Sequence, residues 1–404
     1  MDIDLSVTPG EGLPFAEHQR IRAHGPIFWS ASLAGWVVSS YDDVRRVLSD
    51  RNHFTSEGTP IGDAFGAEAM LVNDTPLHNK MRAVWAEPVS MSAMMARSDN
   101  LRQIAIRLLE AMGTRLKSGE TVNIVEVFQD FASEVITGLM DIPRHRIGDL
   151  QRWNRMLSDT PALEQAKDSP EYARHLEAKA EVYAFLHEEM RKRRERLLSG
   201  EQPEDLVSLM VAAEGRDGIT HSIAVDNLMN LFLGALDTTA KWLGNIVVVL
   251  QRHPHALEEV RADRSLLPQA IEEVMRLETV AQVLLRLVKN DGTELASRTL
   301  KAKDRVYVLP GVANHDPTIF EDAGMFDIHR KPKPHLGFGF GMHQCLGVNI
   351  ARMEALTFIG ALLDMFPNLE VAGCDYGSSW ALWGPLSFRV RLAQIGDASG
   401  RKRP

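Results

Sequence analysis

From about Thr75 to Leu277 the chain repeats apolar residues at helical spacing, as in NLRQIAIRLLEAMGTRL and EVYAFLHEEMRKRRERLL. This property constrains the fold more than any single motif. Apolar side chains recurring every three or four residues put one hydrophobic stripe on each helix, and a stretch this long hides many stripes only by packing helices on one another. The rest of the chain is different in kind. A short helix (FAEHQRIRAHG), two strands (PIFWS and GWVVSS) and a further helix (YDDVRRVLSD) are expected before residue 51. Residues 51–75, with Gly58, Pro60, Gly62 and Gly66, read as loop. After Arg276, QVLLRLVKNDGTEL and DRVYVLPG read as strands joined by turns. A helix resumes at about Gly347 with VNIARMEALTFIGALLDMF, and the end reads as short strands.

The fold class read from this pattern is mainly α with a smaller β-rich portion. A helix-rich core is expected at about 75–277 and 347–366, and β-rich parts at about 25–40, 281–310 and 376–394. Residues 395–404 read as a disordered tail. A length of 404 residues permits two or three domains. No internal repeat and no linker divides it, so one domain is expected. Acidic residues outnumber basic ones, 54 to 45, for a net charge of -9; this excludes the broad basic footprint of nucleic-acid binding. The run RKRRER lies within a helical window with acidic flanks and reads as a solvated helix face. MDIDLSVTPGEGLPF resembles neither a signal peptide nor an anchor, and no uninterrupted apolar run reaches the length of a membrane span. A cytoplasmic protein without membrane contact is expected. The two cysteines, Cys345 and Cys374, cannot make a disulfide framework and leave each thiol free; Cys374 reads as a small hydrophobe.

Cys345 has an unusual setting. HLGFGFGMHQCLG crowds four glycines around it just before a predicted helix. A helix N-terminus offers free N–H groups and the positive end of its dipole, both of which favour a thiolate. Gly339, Gly341 and Gly347 allow tight turns and the close approach of something large and flat, and Phe338 is placed to screen the sulfur from water. The residues alone leave two chemistries open: a cysteine nucleophile, or a metal ligand.

FGFGMHQCLGVNIAR closely resembles the haem-binding loop of the cytochrome P450 family. The family pattern F-G-x-G-x-H-x-C-x-G is met at Phe338, Gly339, Gly341, His343, Cys345 and Gly347, and the likeness continues through Ala351 and Arg352. The resemblance implies that Cys345 is the thiolate ligand of haem b iron and that His343 reaches a haem propionate. IEEVMRLET resembles the family's E-x-x-R helix, implying that Glu273 and Arg276, with Arg330 as third partner, brace the cysteine loop. NLMNLFLGALDTTAKW resembles the central distal helix, with Gly234 and Ala235 beside the haem. Asn227, Asn230, Gly234 and Asp237–Thr238 recur there at helical steps on one face. By resemblance Thr238 holds dioxygen and a water, and Asp237 relays protons. TPLHNKMR places His78 and Arg82 one turn apart. Arg286 lies in an apolar strand, where a charge needs a partner. In the family these positions bind propionates. One departure stands out: Val280 occupies the place of a usual proline, which leaves the path of the adjacent segment open.

The likeness runs from about Phe15 to Leu392 and implies a haem-thiolate monooxygenase. Such an enzyme inserts one atom of O2 into a C–H bond, by hydroxylation or O-dealkylation. Electrons would come from NAD(P)H through separate chains, a ferredoxin of [2Fe-2S] or similar type and an FAD-containing reductase, since no flavin or iron–sulfur motif is present. A basic docking surface is expected near Arg82, Arg330, Lys331, Lys333 and Arg352. Pocket walls are expected from Phe65, Met70 and Leu71, from Asn230 and Leu233 with Gly234, from Val283 and Leu284, and from Leu382 and Trp383. Most are apolar, which suits a small or medium hydrophobic substrate, and Asn230 suits one oxygen function on it. The alternatives are a peroxide-driven peroxygenase and a non-catalytic haem sensor; the Asp237–Thr238 pair speaks against both.

Overall fold

Helices in this chain start where the sequence supplies a cap. The computed structural model describes residues 15–158, 169–376 and 381–393. Ser40 accepts from the Asp43 N–H, Asp205 from Val207 and Ser208, and Thr220 from Ile223, each opening a helix. The N-terminal part comprises α1 (Phe15–Arg22), β1 (Ile27–Ser30), β2 (Gly35–Val38), α2 (Tyr41–Ser49), β3 (Phe54–Thr55) and α3 (Ile61–Phe65). The helical middle follows as α4 (Leu77–Ala86), α5 (Met91–Ala96), α6 (Ser98–Lys117), α7 (Ile124–Leu139), α8 (Ile147–Ser158), α9 (Pro170–Leu198), α10 (Leu206–Ala213), α11 (His221–Arg252), α12 (Pro254–Ala262) and α13 (Leu267–Leu277). One two-residue strand, β4 (Val122–Asn123), interrupts it. Then come β5 (Leu284–Val288), β6 (Thr293–Leu295), β7 (Arg298–Leu300), β8 (Arg305–Val308), α14 (Pro310–Ala313), α15 (Val348–Met365), β9 (Leu369–Asp375) and β10 (Ser387–Leu392).

The main core lies where α11 crosses α7, α9 and α15. Phe358 of α15 meets Phe128 of α7 edge-on, with centroids 5.4 Å apart, and Phe131 at 4.8 Å. A second core sits between α2 and a five-stranded sheet of order β1-β2-β8-β5-β3, in which only β2 and β8 run parallel. β10 pairs with both β4 and β9, antiparallel. The C-terminal strands thus begin at Leu369, earlier than the 376 expected, because Pro367 follows the end of α15 and the chain turns straight into β9. The tail 395–404 lies outside the described residues.

Two other expectations change. α11 has 32 residues, about 48 Å of helix, and it is long and apolar enough to cross a membrane. Its polar residues are spaced along the helix, so uninterrupted apolar runs understate its length. Of its most apolar window 78% is buried inside the fold, as a central core helix requires. The charge run on α9 is solvated at Arg191, Lys192 and Arg196 but not at Arg193. Arg193 is 4% exposed. Its guanidinium pairs with Glu189 and Asp205 at 3.2 Å each and donates to the carbonyls of Met140 and Asp141. That set of partners satisfies a buried guanidinium and ties α9 to the cap of α10.

The cysteine loop is held from behind by a buried trio. Arg276 meets both oxygens of Glu273 at 2.8 Å, and Arg330 meets the same carboxylate at 2.9 Å. Arg276 also donates to the carbonyls of Asn314, Ala323 and Met325. Asn314 in turn accepts the Leu336 N–H at 2.7 Å, at the head of the cysteine loop. Removing one member of a buried ion network leaves uncompensated charge. Arg276→Met is therefore expected to lower the unfolding free energy in urea by about 3–5 kcal/mol; a loss below about 1 kcal/mol would show the trio to be dispensable.

Candidate active site

Cys345 sits two residues before Gly347, the N-cap of α15. Its own N–H donates to the Phe338 carbonyl at 2.9 Å, closing the loop. Gly339 and Gly341 have φ of +71° and +73°, which favour glycine. A Cβ on Gly341 would lie 2.7 Å from the Leu48 carbonyl of α2, so only glycine fits there. The ring of Phe338 packs edge-on against Trp242 of α11 at 5.3 Å and under the Arg352 guanidinium. Cys345 itself is exposed.

Although the residue is exposed, the surrounding protein desolvates its sulfur and raises the thiol pKa. The Gly347 N–H and the charges of Arg82 and Arg352 pull it down and are outweighed. The helix end thus favours a thiolate, but burial of the sulfur outweighs it. A coordinated metal cation supplies the missing charge and deprotonates a thiol outright.

Beside the cysteine lies a group of cationic and imidazole side chains. Arg286 is 8% exposed on β5, yet among the described residues no carboxylate pairs with it, and its guanidinium donates only to the Leu285 carbonyl. Burial pushes its pKa down to about 10, against the attraction of Asp74. Arg82 donates to the Gln344 carbonyl at 2.8 Å and also lacks a carboxylate among the described residues. The rings of His78 and His343 lie 4.7 Å apart, and burial lowers both pKa values. Asp74, which the sequence motifs do not flag although it directly precedes TPLHNKMR, takes a hydrogen bond from His343 at 3.2 Å and one from Thr55 at 2.6 Å. Burial opposes its ionisation, but these bonds outweigh it and hold the carboxyl at about 2.

The expected distal residues lie on α11. Gly234 is exposed, with nothing within 4 Å of where a Cβ would be, and Ala235 beside it is half-buried. The Thr238 hydroxyl donates to the Gly234 carbonyl at 2.7 Å, which leaves its lone pairs to accept. Asp237 Oδ1 pairs with Lys241 at 3.2 Å. Lys241 is 4% exposed and is an addition to the expected site, although its i+4 spacing from Asp237 is visible in the sequence. One residue of the expected polar stripe serves elsewhere. Asn227 is fully buried and accepts the Met70 N–H. Asn230 is half-buried, and no described residue hydrogen-bonds its amide.

The expected pocket walls divide. Phe65, Leu71, Val283, Leu284 and Leu382 are half-buried, and Met70 and Leu233 are buried at 6%. Trp383 is not a wall. It is 1% exposed, stacks on Tyr376 at 4.5 Å and donates its indole N–H to Glu278. Its backbone N–H meets the Val280 carbonyl at 2.7 Å, and Gln282 N–H meets Ala381. This pairing fixes the path that the missing proline left open. The expected basic docking face also shrinks, because Arg330 is committed to Glu273 and Arg352 binds Glu272 through two bonds. Lys331 and Lys333 stay exposed.

An exposed cysteine, an orphaned buried guanidinium and a helix without side-chain bulk at Gly234 together fit a flat anionic macrocycle with a central metal. Haem is such a group. Cys345 would ligate its iron, and Arg82, Arg286, His78 and His343 would meet its propionates; added carboxylates raise the imidazole pKa values and make both rings donors.

The comparisons agree with that fit. The family model described as cytochrome P450 matches residues 18–372. The 20-oxo-5-O-mycaminosyltylactone 23-monooxygenase of Streptomyces fradiae is 30% identical over 396 residues, covering 93% of this chain and 89% of that one. The crystal structure of CYP109E1 from Bacillus megaterium with testosterone superposes with a TM-score of 0.84 at 27% identity, covering 94% of this chain and 97% of that one. That of P450BioI with a hexadec-9Z-enoic acid ligated acyl carrier protein gives a TM-score of 0.83 at 25% identity, covering 94% and 98%.

Two outcomes are expected from the buried charges. Arg286→Leu relieves an uncompensated cation, so the haem-free protein should gain roughly 1–3 kcal/mol of stability. The loaded protein should lose haem to an acceptor protein roughly tenfold faster or more; a destabilised haem-free variant would contradict this. Glu278 is buried, and burial pushes its carboxyl up to about 8. The unfolded carboxyl ionises near pH 4.3, so stability falls as pH rises from about 4 to about 8. Glu278→Gln keeps an acceptor for Trp383 and removes that slope. Denaturation should find it more stable than the parent at pH 8 and not at pH 4; parallel pH profiles would contradict it.

Proposed function

The chain belongs to the cytochrome P450 family and is a monooxygenase of that family; we propose that it inserts one oxygen atom of O2 into a C–H bond of a small or medium hydrophobic substrate carrying one oxygen function. The proposal extends to electrons from NAD(P)H delivered by a separate [2Fe-2S] ferredoxin and an FAD-containing reductase, and to a cytoplasmic location. The observation that carries the reading is an exposed Cys345 at the end of its glycine-rich loop, together with a buried Arg286 that no described carboxylate pairs.

Bound haem supplies the activation of dioxygen and the oxidation of the C–H bond. The residues of the chain do the rest. Thr238, its proton tied to Gly234, accepts a hydrogen bond from a water or holds dioxygen beside it. Asp237 keeps one oxygen on Lys241, and no described residue donates to the other, which leaves it to pass protons along water. Half-buried apolar side chains from the 61–72 loop, β5 and Leu382 exclude bulk water from the substrate. Asn230 positions the oxygen function. The 23-monooxygenase of Streptomyces fradiae and the testosterone complex support a multi-ring or macrocyclic lipophilic compound within the same class.

The test is coupling. With a surrogate ferredoxin and reductase, the parent enzyme should convert most of the NADH oxidised into hydroxylated product. Thr238→Ala should keep NADH oxidation within about threefold and divert roughly tenfold more of it to hydrogen peroxide. Equal product yield in both would remove Thr238 from proton delivery; product formed from peroxide alone, with no response to NADH, would favour the peroxygenase.

A further inference from the structure

Asp226 lies three helical turns before Asp237 on α11 and is 6% exposed. Its two oxygens accept from two different elements. Oδ2 takes the backbone N–H of Glu68, in the loop between α3 and α4, at 2.8 Å. Oδ1 takes the hydroxyl of Tyr183, on α9, at 2.5 Å. The neighbouring Asn227 accepts the Met70 N–H at 3.0 Å, while its own amide is held by the Ile223 carbonyl at 2.7 Å. Gly66 has φ +98°, and a Cβ there would lie 2.7 Å from Asp226 Cγ, so the loop backbone presses directly on the carboxylate. From the other side Lys179 of α9 reaches over to the Asp63 carbonyl of α3. Three elements therefore meet at one carboxylate. Burial and the Asp226 charge both raise the Tyr183 hydroxyl pKa, which keeps it a donor at any working pH.

We propose that Asp226, with Tyr183 and Asn227 as its fellow positioning residues, is a latch that holds the 61–72 loop closed against α9 and α11, and so sets which ligand sizes enter and how long they stay. The inference rests on the reading that Phe65, Met70 and Leu71 of this loop face the substrate. The outer part of the loop has few other anchors: α3 is five residues long, and Asp63, Ala67 and Glu68 are exposed, whereas Ala69, Met70 and Val72 are buried. Each bond to the carboxylate is charge-assisted and stronger than a neutral one. On opening, water replaces both donors on the carboxylate, so the cost is finite and the motion reversible.

The experiment uses the haem-loaded enzyme and two azole probes, imidazole and clotrimazole, followed by the shift of the haem absorption band in stopped flow. Tyr183→Phe and Asp226→Asn are compared with the parent and with Tyr172→Phe, a control on the same helix. Clotrimazole should dissociate roughly tenfold faster from both latch variants, the loss expected for one charge-assisted bond. Imidazole, small enough to pass a closed loop, should keep its parental rates within about twofold, and the control should match the parent. Amide hydrogen exchange should rise in residues 66–70 and stay unchanged in the interior of α11. Equal acceleration of both azoles, or unchanged clotrimazole rates with unchanged loop exchange, would overturn the latch. Absence of any azole shift in the parent would instead contradict haem binding and leave the exchange result to decide the latch alone.

Discussion

One carboxylate, Glu273, holds the cysteine loop in place. It is 3% exposed and meets two guanidiniums, Arg276 from its own helix and Arg330 from the segment that leads into the loop. A single buried negative charge between two positive ones is costly unless every remaining donor is used. Here Arg276 spends its other N–H groups on the carbonyls of Asn314, Ala323 and Met325, and Arg330 spends its own on those of Glu321, Asp322 and Met325. An irregular stretch with no regular secondary structure thereby gains fixed carbonyl partners. Asn314 passes the constraint on to Leu336, and from there the glycine turns place Cys345 at the foot of α15.

The same economy of charge explains why Arg286 is left unpaired. Asp74, the acid nearest the basic group, is already taken by His343 and Thr55, so it does not neutralise Arg286. A buried guanidinium left without a carboxylate is a poor way to stabilise a fold and a good way to hold an anionic ligand. On α11, bulk is withheld at Gly234, and the Thr238 hydroxyl turns back on the Gly234 carbonyl. Stability and binding therefore pull in opposite directions at Arg286, and they pull together at Glu273.

What the sequence reveals here depends on the range of each interaction. The cysteine loop is legible because its glycines answer local demands: positive φ at Gly339 and Gly341, and the pressure of Leu48 on Gly341. Arg286 is legible as a charge in an apolar strand. The Glu273–Arg276 pair is visible at i, i+3, and its burial is not. Trp383 reads as a pocket wall, yet its burial comes from pairing with Val280 and stacking on Tyr376, contacts that no local pattern announces. Arg193 reads as solvated for the same reason, since its partners include the cap of α10 and the end of α7. Lys241 stands one turn from Asp237, but the apolar residues around it give it the look of a core position rather than of an ion-pair partner. The helix-rich core is readable from periodicity, whereas the start of β9 depends on where β10 lies.

The central claim is that the protein holds haem through the Cys345 sulfur. The most direct measurement is the absorption spectrum of the purified protein, reduced and exposed to carbon monoxide, for the parent and for Cys345→Ser. A thiolate-bound iron gives the strongly red-shifted band from which the family takes its name. That band should be present in the parent and absent from the variant, with haem still detectable in the variant through Arg286, Arg82 and the imidazoles. The same red-shifted band in Cys345→Ser, or a parent protein that takes up no haem, would contradict the account.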